Sequence, residues 1–181
     1  MWCADYKGLF HTADGTRIEP LTITDAYSRY LFRCQAQLKV GYAPSKPVFE
    51  AAFREYGLPA RIRTDNGPPF VSNGESGLTG LSVWWIKLGI TPERIEPGKP
   101  QQNGRHERMH RTLKQETASP PAKNRRAQQQ RFDEFRTEYN QDVRTKHWDK
   151  RLPLATMSRL RVPIRSVCRA SNIRAIGPHA A

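Results

Sequence analysis

Three carboxylates separated by long stretches of chain, Asp5, Asp65 and Glu107, stand where the residue pattern places the ends of ordered elements. Hard divalent cations such as Mg²⁺ or Mn²⁺ take oxygen ligands, keep several waters and bridge a few carboxylates to a substrate phosphate, so acids far apart in sequence suffice when a fold gathers them. Two such ions clamp the attacking and leaving oxygens of an in-line displacement at phosphorus. Taken singly, each acid has a plainer explanation. Asp65-Asn66-Gly67 is a common turn sequence, Asp5 can close a strand, and Glu107 can pair with Arg111 one helical turn later. A second chemistry is spelled by His106-Glu107-Arg108-Met109-His110, an H-E-x-x-H pattern whose histidines at i and i+4 would share a zinc ion. Against it, Arg105, Arg108 and Arg111 make this helix cationic, and Leu113 stands where the extended zinc-protease pattern has glycine. Glu134 as a third ligand has no support.

The elements that must position these residues follow from periodicity. Trp2 to Tyr6, Ile18 to Asp25 and Tyr30 to Leu38 read as a three-stranded meander with a turn at Asp14-Gly15. Ser45-Lys46-Pro47 predicts a helix N-cap with an early proline, followed by Val48, Phe49, Ala52, Phe53 and Tyr56 at helical spacing and a stop at Gly57. Arg61 to Asp65 is a short fourth strand, a Gly/Ser-rich loop leads to a helix over Leu81 to Leu88, and Thr91 to Ile95 is a last edge strand. The loop Pro97 to Gly104 precedes a basic helix from Arg105 to Glu116. Phe132, Phe135 and Tyr139, at i, i+3 and i+7, predict one more amphipathic helix. Trp84, Trp85, Ile86 and Leu88 are assigned to packing.

Charge divides the chain. Residues 1–104 carry 12 basic and 10 acidic side chains, and residues 105–181 carry 18 and 7, out of a formal net charge of +13. A nearly neutral platform followed by a basic surface points to a polyanion such as nucleic acid. With 181 residues the chain can bury one domain core. No stretch has the length and apolarity of a membrane span, and the start lacks the pattern of a signal peptide, so the expected setting is intracellular, in the cytoplasm. Cys3, Cys34 and Cys168 are odd in number and far apart, which suggests neither a disulfide framework nor a metal knuckle.

Trp2-Cys3-Ala4-Asp5-Tyr6-Lys7, the segment Leu21 to Tyr30, Arg63-Thr64-Asp65-Asn66-Gly67-Pro68-Pro69-Phe70, and Pro97 through Arg108 continuing to Glu116 resemble the catalytic core of DDE transposases and retroviral-type integrases, specifically the bacterial insertion-sequence branch. The resemblance implies an α/β, ribonuclease H-like fold with a mixed five-stranded sheet flanked by helices. It implies that Asp5, Asp65 and Glu107 are both catalytic residues and ligands of Mg²⁺ or Mn²⁺, two ions with DNA bound. The implied reaction is metal-dependent cleavage followed by transfer of a DNA 3′-hydroxyl onto a target phosphodiester, by a homo-oligomer, with no nucleotide cofactor and no membrane. Lys99, Gln102, Asn103, Arg105, His110, Arg111 and Lys114 are the expected DNA contacts. Asp25 is the rival to Asp5 and is read as a structural acid holding the Tyr27-Ser28-Arg29 turn. The 41 residues between Asp65 and Glu107 exceed the family's usual spacing, and the excess is placed in the Val71 to Gly80 loop.

Two expectations concern completeness. The chain begins four residues before Asp5, which implies a shortened first strand, no upstream reading element, and DNA binding indifferent to sequence. The catalytic core is expected over residues 1–142, and residues 143–181 as an irregular basic tail. Reading the codons of Asp142 to Lys150 out of frame permits RPHEALGQ, the family's ordinary continuation after Tyr139-Asn140, and His147-Trp148-Asp149 forces its Leu-Gly. The tail is therefore expected to be a frameshift product in a decayed or interrupted element. A DNA-binding remnant without catalysis and the zinc protease are the alternatives.

Overall fold

The computed structural model describes residues 1–72, 74–96 and 104–147, with backbone only for 104–106 and 144–147. The order is β1 (Trp2–Tyr6), β2 (Phe10–His11), β3 (Arg17–Asp25), β4 (Leu31–Gln37), α1 (Tyr42–Tyr56), β5 (Arg61–Thr64), α2 (Gly80–Lys87), β6 (Thr91–Arg94), α3 (Gly104–Thr117) and α4 (Arg125–His147). Lys99, Gln102 and Asn103, and the tail from residue 148, lie outside the described residues.

β3 pairs antiparallel with β1, β2 and β4, while β1, β5 and β6 run parallel. β1 and β2 follow one another along the same edge of β3. Tyr6 faces Leu21, the Lys7 amide donates to the Pro20 carbonyl, and Phe10 then faces Ile18. Four residues on the first side span three on β3, so one residue bulges, and Gly8 takes the positive φ of 90° that a bulge of this kind favours. The sheet is thus five strands wide, with the first strand broken in two.

Helices cover both faces. α1 and α2 pack Phe49, Ala52, Phe53, Leu81 and Trp85 against Trp2, Ala4, Leu21, Ile23, Phe32 and Ile62. On the other face, Met109 and Leu113 of α3 with Phe132 and Phe135 of α4 close over Ile18, Leu31, Cys34 and Ala36. The predicted aromatic face of α4 is therefore seated as its spacing implied.

The start of α1 corrects one expectation. Ser45 is not its N-cap: the helix begins at Tyr42, and Ser45 is fully buried within it. Pro44 falls among the first-turn amides that lack intrahelical acceptors, so proline is tolerated there and the helix can start upstream. The Ser45 hydroxyl is used in the interior, 2.5 Å from the Gly41 carbonyl and 2.8 Å from the Tyr6 hydroxyl. α2 is closed by a reciprocal pair between Thr79 and Ser82. α4 continues to His147, with Val143 6% exposed, beyond residue 142 where the core was expected to end.

Candidate active site

Parallel pairing of β1 with β5 sets Ala4 beside Thr64, so the next residue on each, Asp5 and Asp65, emerges at the carboxyl ends of adjacent strands. This is the end of a parallel pair at which α/β proteins place their ligands. Antiparallel β3 sends Asp25 to the opposite end, opposite Trp2. There Asp25 Oδ2 accepts from the Ser28 amide at 2.7 Å and the Ser28 hydroxyl at 2.8 Å. The expected turn role of Asp25 is what its contacts show.

Asp5 is buried, at 8% exposure. The Thr22 hydroxyl, from β3, donates to the Asp5 carbonyl at 3.1 Å and lies 2.7 Å from His110 Nε2. His110 Nδ1 is 3.8 Å from Asp5 Oδ2. A hydroxyl has one proton; with that proton on the Asp5 carbonyl, Nε2 is the donor to Thr22. Asp65 is half-buried, and burial pushes its carboxyl above the usual range, opposed by a hydrogen bond from the Gly67 amide. Among the described residues, Asp65 Oδ1 is buried without a hydrogen-bond partner. Gly67 approaches the acid closely: a Cβ there would lie 3.2 Å from Asp65 Oδ2, so a side chain would press the carboxylate out of place by a few tenths of an ångström.

Glu107 is exposed in the first turn of α3 and borders an open groove with Lys7, Arg111, Lys114, Gln115 and Ser119. Among the described residues no three His, Cys, Asp or Glu side chains are grouped to hold a metal ion. The structure thus sets Asp5 and Asp65 side by side and leaves Glu107 on the neighbouring cationic groove. The donor chemistry fits a hard cation all the same: a buried carboxylate oxygen with no partner, next to a second acid, is an oxygen ligand in waiting.

His110 corrects the expectation of a DNA contact. It is 4% exposed and turned onto β1 and β3, because it follows Met109 and precedes Leu113 on the face of α3 that packs inward. Its two ring nitrogens face Thr22 and Asp5, which removes it from an H-E-x-x-H zinc pair. Arg111 and Lys114 are exposed, as a phosphate contact requires. The side chains of Arg105 and His106 lie outside the described residues. Lys7 is the basic residue that sequence reasoning passed over. It lies two positions beyond Asp5, and the period of two along a strand puts both on one face.

An α/β sheet of this width and mixed direction, with acids at the carboxyl ends of adjacent strands and a helix bearing a third acid beside them, is the ribonuclease H-like arrangement. Two family models, each described as an integrase core domain, match residues 1–100 and 88–145. The chain belongs to the integrase core domain family. It is 30% identical over 116 residues to the Gag-Pol polyprotein of baboon endogenous virus, covering 60% of this chain and 6% of that polyprotein. It is 31% identical over 118 residues to the Gag-Pol polyprotein of avian reticuloendotheliosis virus, covering 65% of this chain and 10% of that one. The chain therefore spans a tenth or less of these relatives. Among solved structures, the simian T-cell lymphotropic virus intasome in complex with PP2A regulatory subunit B56 gamma aligns with a TM-score of 0.56 at 18% identity, over 84% of this chain and 50% of that chain. The catalytic core of BIV integrase aligns with a TM-score of 0.53 at 18% identity, over 83% and 86%. The HTLV-2 integrase catalytic core, in complex with magnesium in a trimeric form, aligns with a TM-score of 0.50 at 19% identity, over 64% and 66%.

Proposed function

We propose that this chain is the catalytic core of an insertion-sequence transposase of the integrase type, which cleaves DNA and joins a 3′-hydroxyl to a target phosphodiester. The observation that carries the reading is the pairing of Asp5 with Asp65 at adjacent strand ends, with Asp65 Oδ1 buried and unpartnered. Asp5, Asp65 and Glu107 would hold Mg²⁺ or Mn²⁺, two ions with DNA bound. When bound, such cations activate the attacking oxygen and neutralise charge on the leaving oxygen. The protein's own part is positional. β1 and β5 fix two carboxylates from below, and α3 brings the third on a helix anchored by Met109 and Leu113. Lys7, Arg111 and Lys114 bind the phosphates that flank the scissile bond and hold it in line. Closure of Glu107 onto the aspartates accompanies DNA binding, since the phosphate supplies the anion that the groove cations attract. The magnesium complex and trimeric form of the HTLV-2 core support a divalent ion and a homo-oligomer here.

Asp65→Asn tests this directly. It should abolish metal-dependent nicking and strand transfer while leaving DNA affinity unchanged. Nicking that survives this substitution removes the assignment. The separation of Glu107 from the aspartates favours a second reading, DNA binding without catalysis, and salt-sensitive binding with no metal-dependent nicking by the unsubstituted chain would select it.

A further inference from the structure

Resting on the metal-site reading above, we infer that Thr22 and His110 form a positioning pair that sets Asp5 for cation binding. Three elements meet at this pair. Thr22 comes from β3, His110 from α3 and Asp5 from β1, and all three residues are buried. The Thr22 hydroxyl ties down the backbone of Asp5 at its carbonyl, 3.1 Å away, and takes the Nε2 proton of His110 at 2.7 Å. That bond fixes the imidazole plane and leaves Nδ1 aimed at Asp5 Oδ2 from 3.8 Å. At that distance the ring stands beside the carboxylate and fills the space on one side of it, which confines the side chain. The pair also couples α3 to the sheet: the helix turn that carries His110 carries Glu107 three residues earlier, so the first and third acids share one anchor. His110 and Thr22 act on the site through Asp5 and touch no reacting atom in this role.

The measurement is Mn²⁺ binding by the 181-residue chain without DNA, followed by the electron paramagnetic resonance of free Mn²⁺, beside Mn²⁺-dependent nicking. Thr22→Val keeps the volume and removes the hydroxyl, His110→Leu removes the ring, and Thr22→Ser restores the hydroxyl. Loss of groups that orient metal ligands lowers metal affinity by about 10- to 100-fold. Thr22→Val and His110→Leu should each show a loss of that size, with thermal melting still cooperative and DNA affinity in chelator unchanged, and Thr22→Ser should return to the unsubstituted value. A merely structural hydroxyl would alter melting and leave Mn²⁺ affinity alone. Tight Mn²⁺ binding by folded Thr22→Val overturns the inference, and so does a loss in Thr22→Val that Thr22→Ser fails to rescue. If the unsubstituted chain itself neither binds Mn²⁺ nor nicks DNA, the metal-site reading fails and takes this inference with it; that result is distinct from a failure in the Thr22 variants alone.

Discussion

Trp2, Ala4 and Tyr6 turn to the α1–α2 side of the sheet, whereas Asp5 and Lys7, on the alternate positions of the same strand, turn to the α3 side. The first side is rich in aromatic rings. Phe49 meets Trp85 edge-on with centroids 4.9 Å apart, and Trp2 lies 4.5 Å from Phe32. The second side is packed by Ile18, Cys34, Ala36, Met109 and Leu113 with Phe132 and Phe135 of α4, and its margin carries the groove of Lys7, Glu107, Arg111 and Lys114. One strand therefore has a supporting face and a working face. The lesson is that a costly arrangement, a buried carboxylate oxygen left unpartnered, persists where the opposite face of the same sheet is packed firmly enough to hold it.

The largest effect should come from breaking the support. Phe49→Ala empties a fully buried site between Trp85 and Phe53, and such truncations cost about 3–5 kcal/mol. Denaturant unfolding should show this loss, and with it a fall in metal affinity at the far face. A loss below about 1 kcal/mol would show that the α1–α2 side does not hold the sheet. Next comes the working face's own clasp. Gln128 is fully buried, accepts from the Ala122 amide at 3.1 Å and donates to the Thr117 carbonyl at 2.9 Å, tying the end of α3 to the start of α4. Gln128→Leu strands both backbone groups, each at about 1–3 kcal/mol, and unfolding curves should record a loss in that range or above.

Much of this division is legible in the residue pattern, because alternation along β1 and the i, i+3, i+7 aromatics of α4 are burial signals of one period each. Three features were not. The true start of α1 escaped because Ser45 and Pro47 imitate a cap, while the real start at Tyr42 depends on Pro44 falling among amides that need no acceptor. The inward turn of His110 escaped because His110, Glu107, Arg111 and Lys114 share a helical spacing, and only the docking angle of α3 on β1 and β3 decides which of them meets the sheet. Lys7 escaped because a single lysine after a strand acid looks solvated until α3 closes a groove over it.

A smaller effect separates the cations from the acids of the working face. Lys7→Ala and Lys114→Ala each remove one cation of the groove, so, if both meet phosphates as proposed, the slope of log affinity against log salt should become shallower by about 0.9 per substitution. Binding should weaken uniformly across duplex sequences, with melting temperature unchanged. An unchanged slope for Lys7→Ala would take Lys7 out of the groove's function and leave Arg111 and Lys114 as its remaining candidate cations.

The smallest effect sharpens the contrast between two aspartates that the bare sequence leaves as rivals. Asp25 stands at the far end of β3, paired in register with Trp2, and its carboxylate is occupied by the Ser28 amide and hydroxyl at 2.7 and 2.8 Å. Those bonds hold the residues that lead to Arg29, whose φ of 65° is unusual for a residue with a side chain and needs a turn that is fixed from elsewhere. Asp25→Ala removes both acceptor contacts at a partly solvated turn, where water can satisfy the Ser28 amide, so the expected cost is about 1 kcal/mol. Because antiparallel pairing puts this turn at the opposite end of β1 from Asp5, Mn²⁺ affinity and metal-dependent nicking should stay at the level of the unsubstituted chain. Asp5→Ala should do the reverse, removing Mn²⁺ binding while the melting transition remains cooperative. If Asp25→Ala abolished Mn²⁺ binding instead, the two ends of β1 would have to exchange roles, and the pairing of Asp5 with Asp65 would lose its place as the centre of the site.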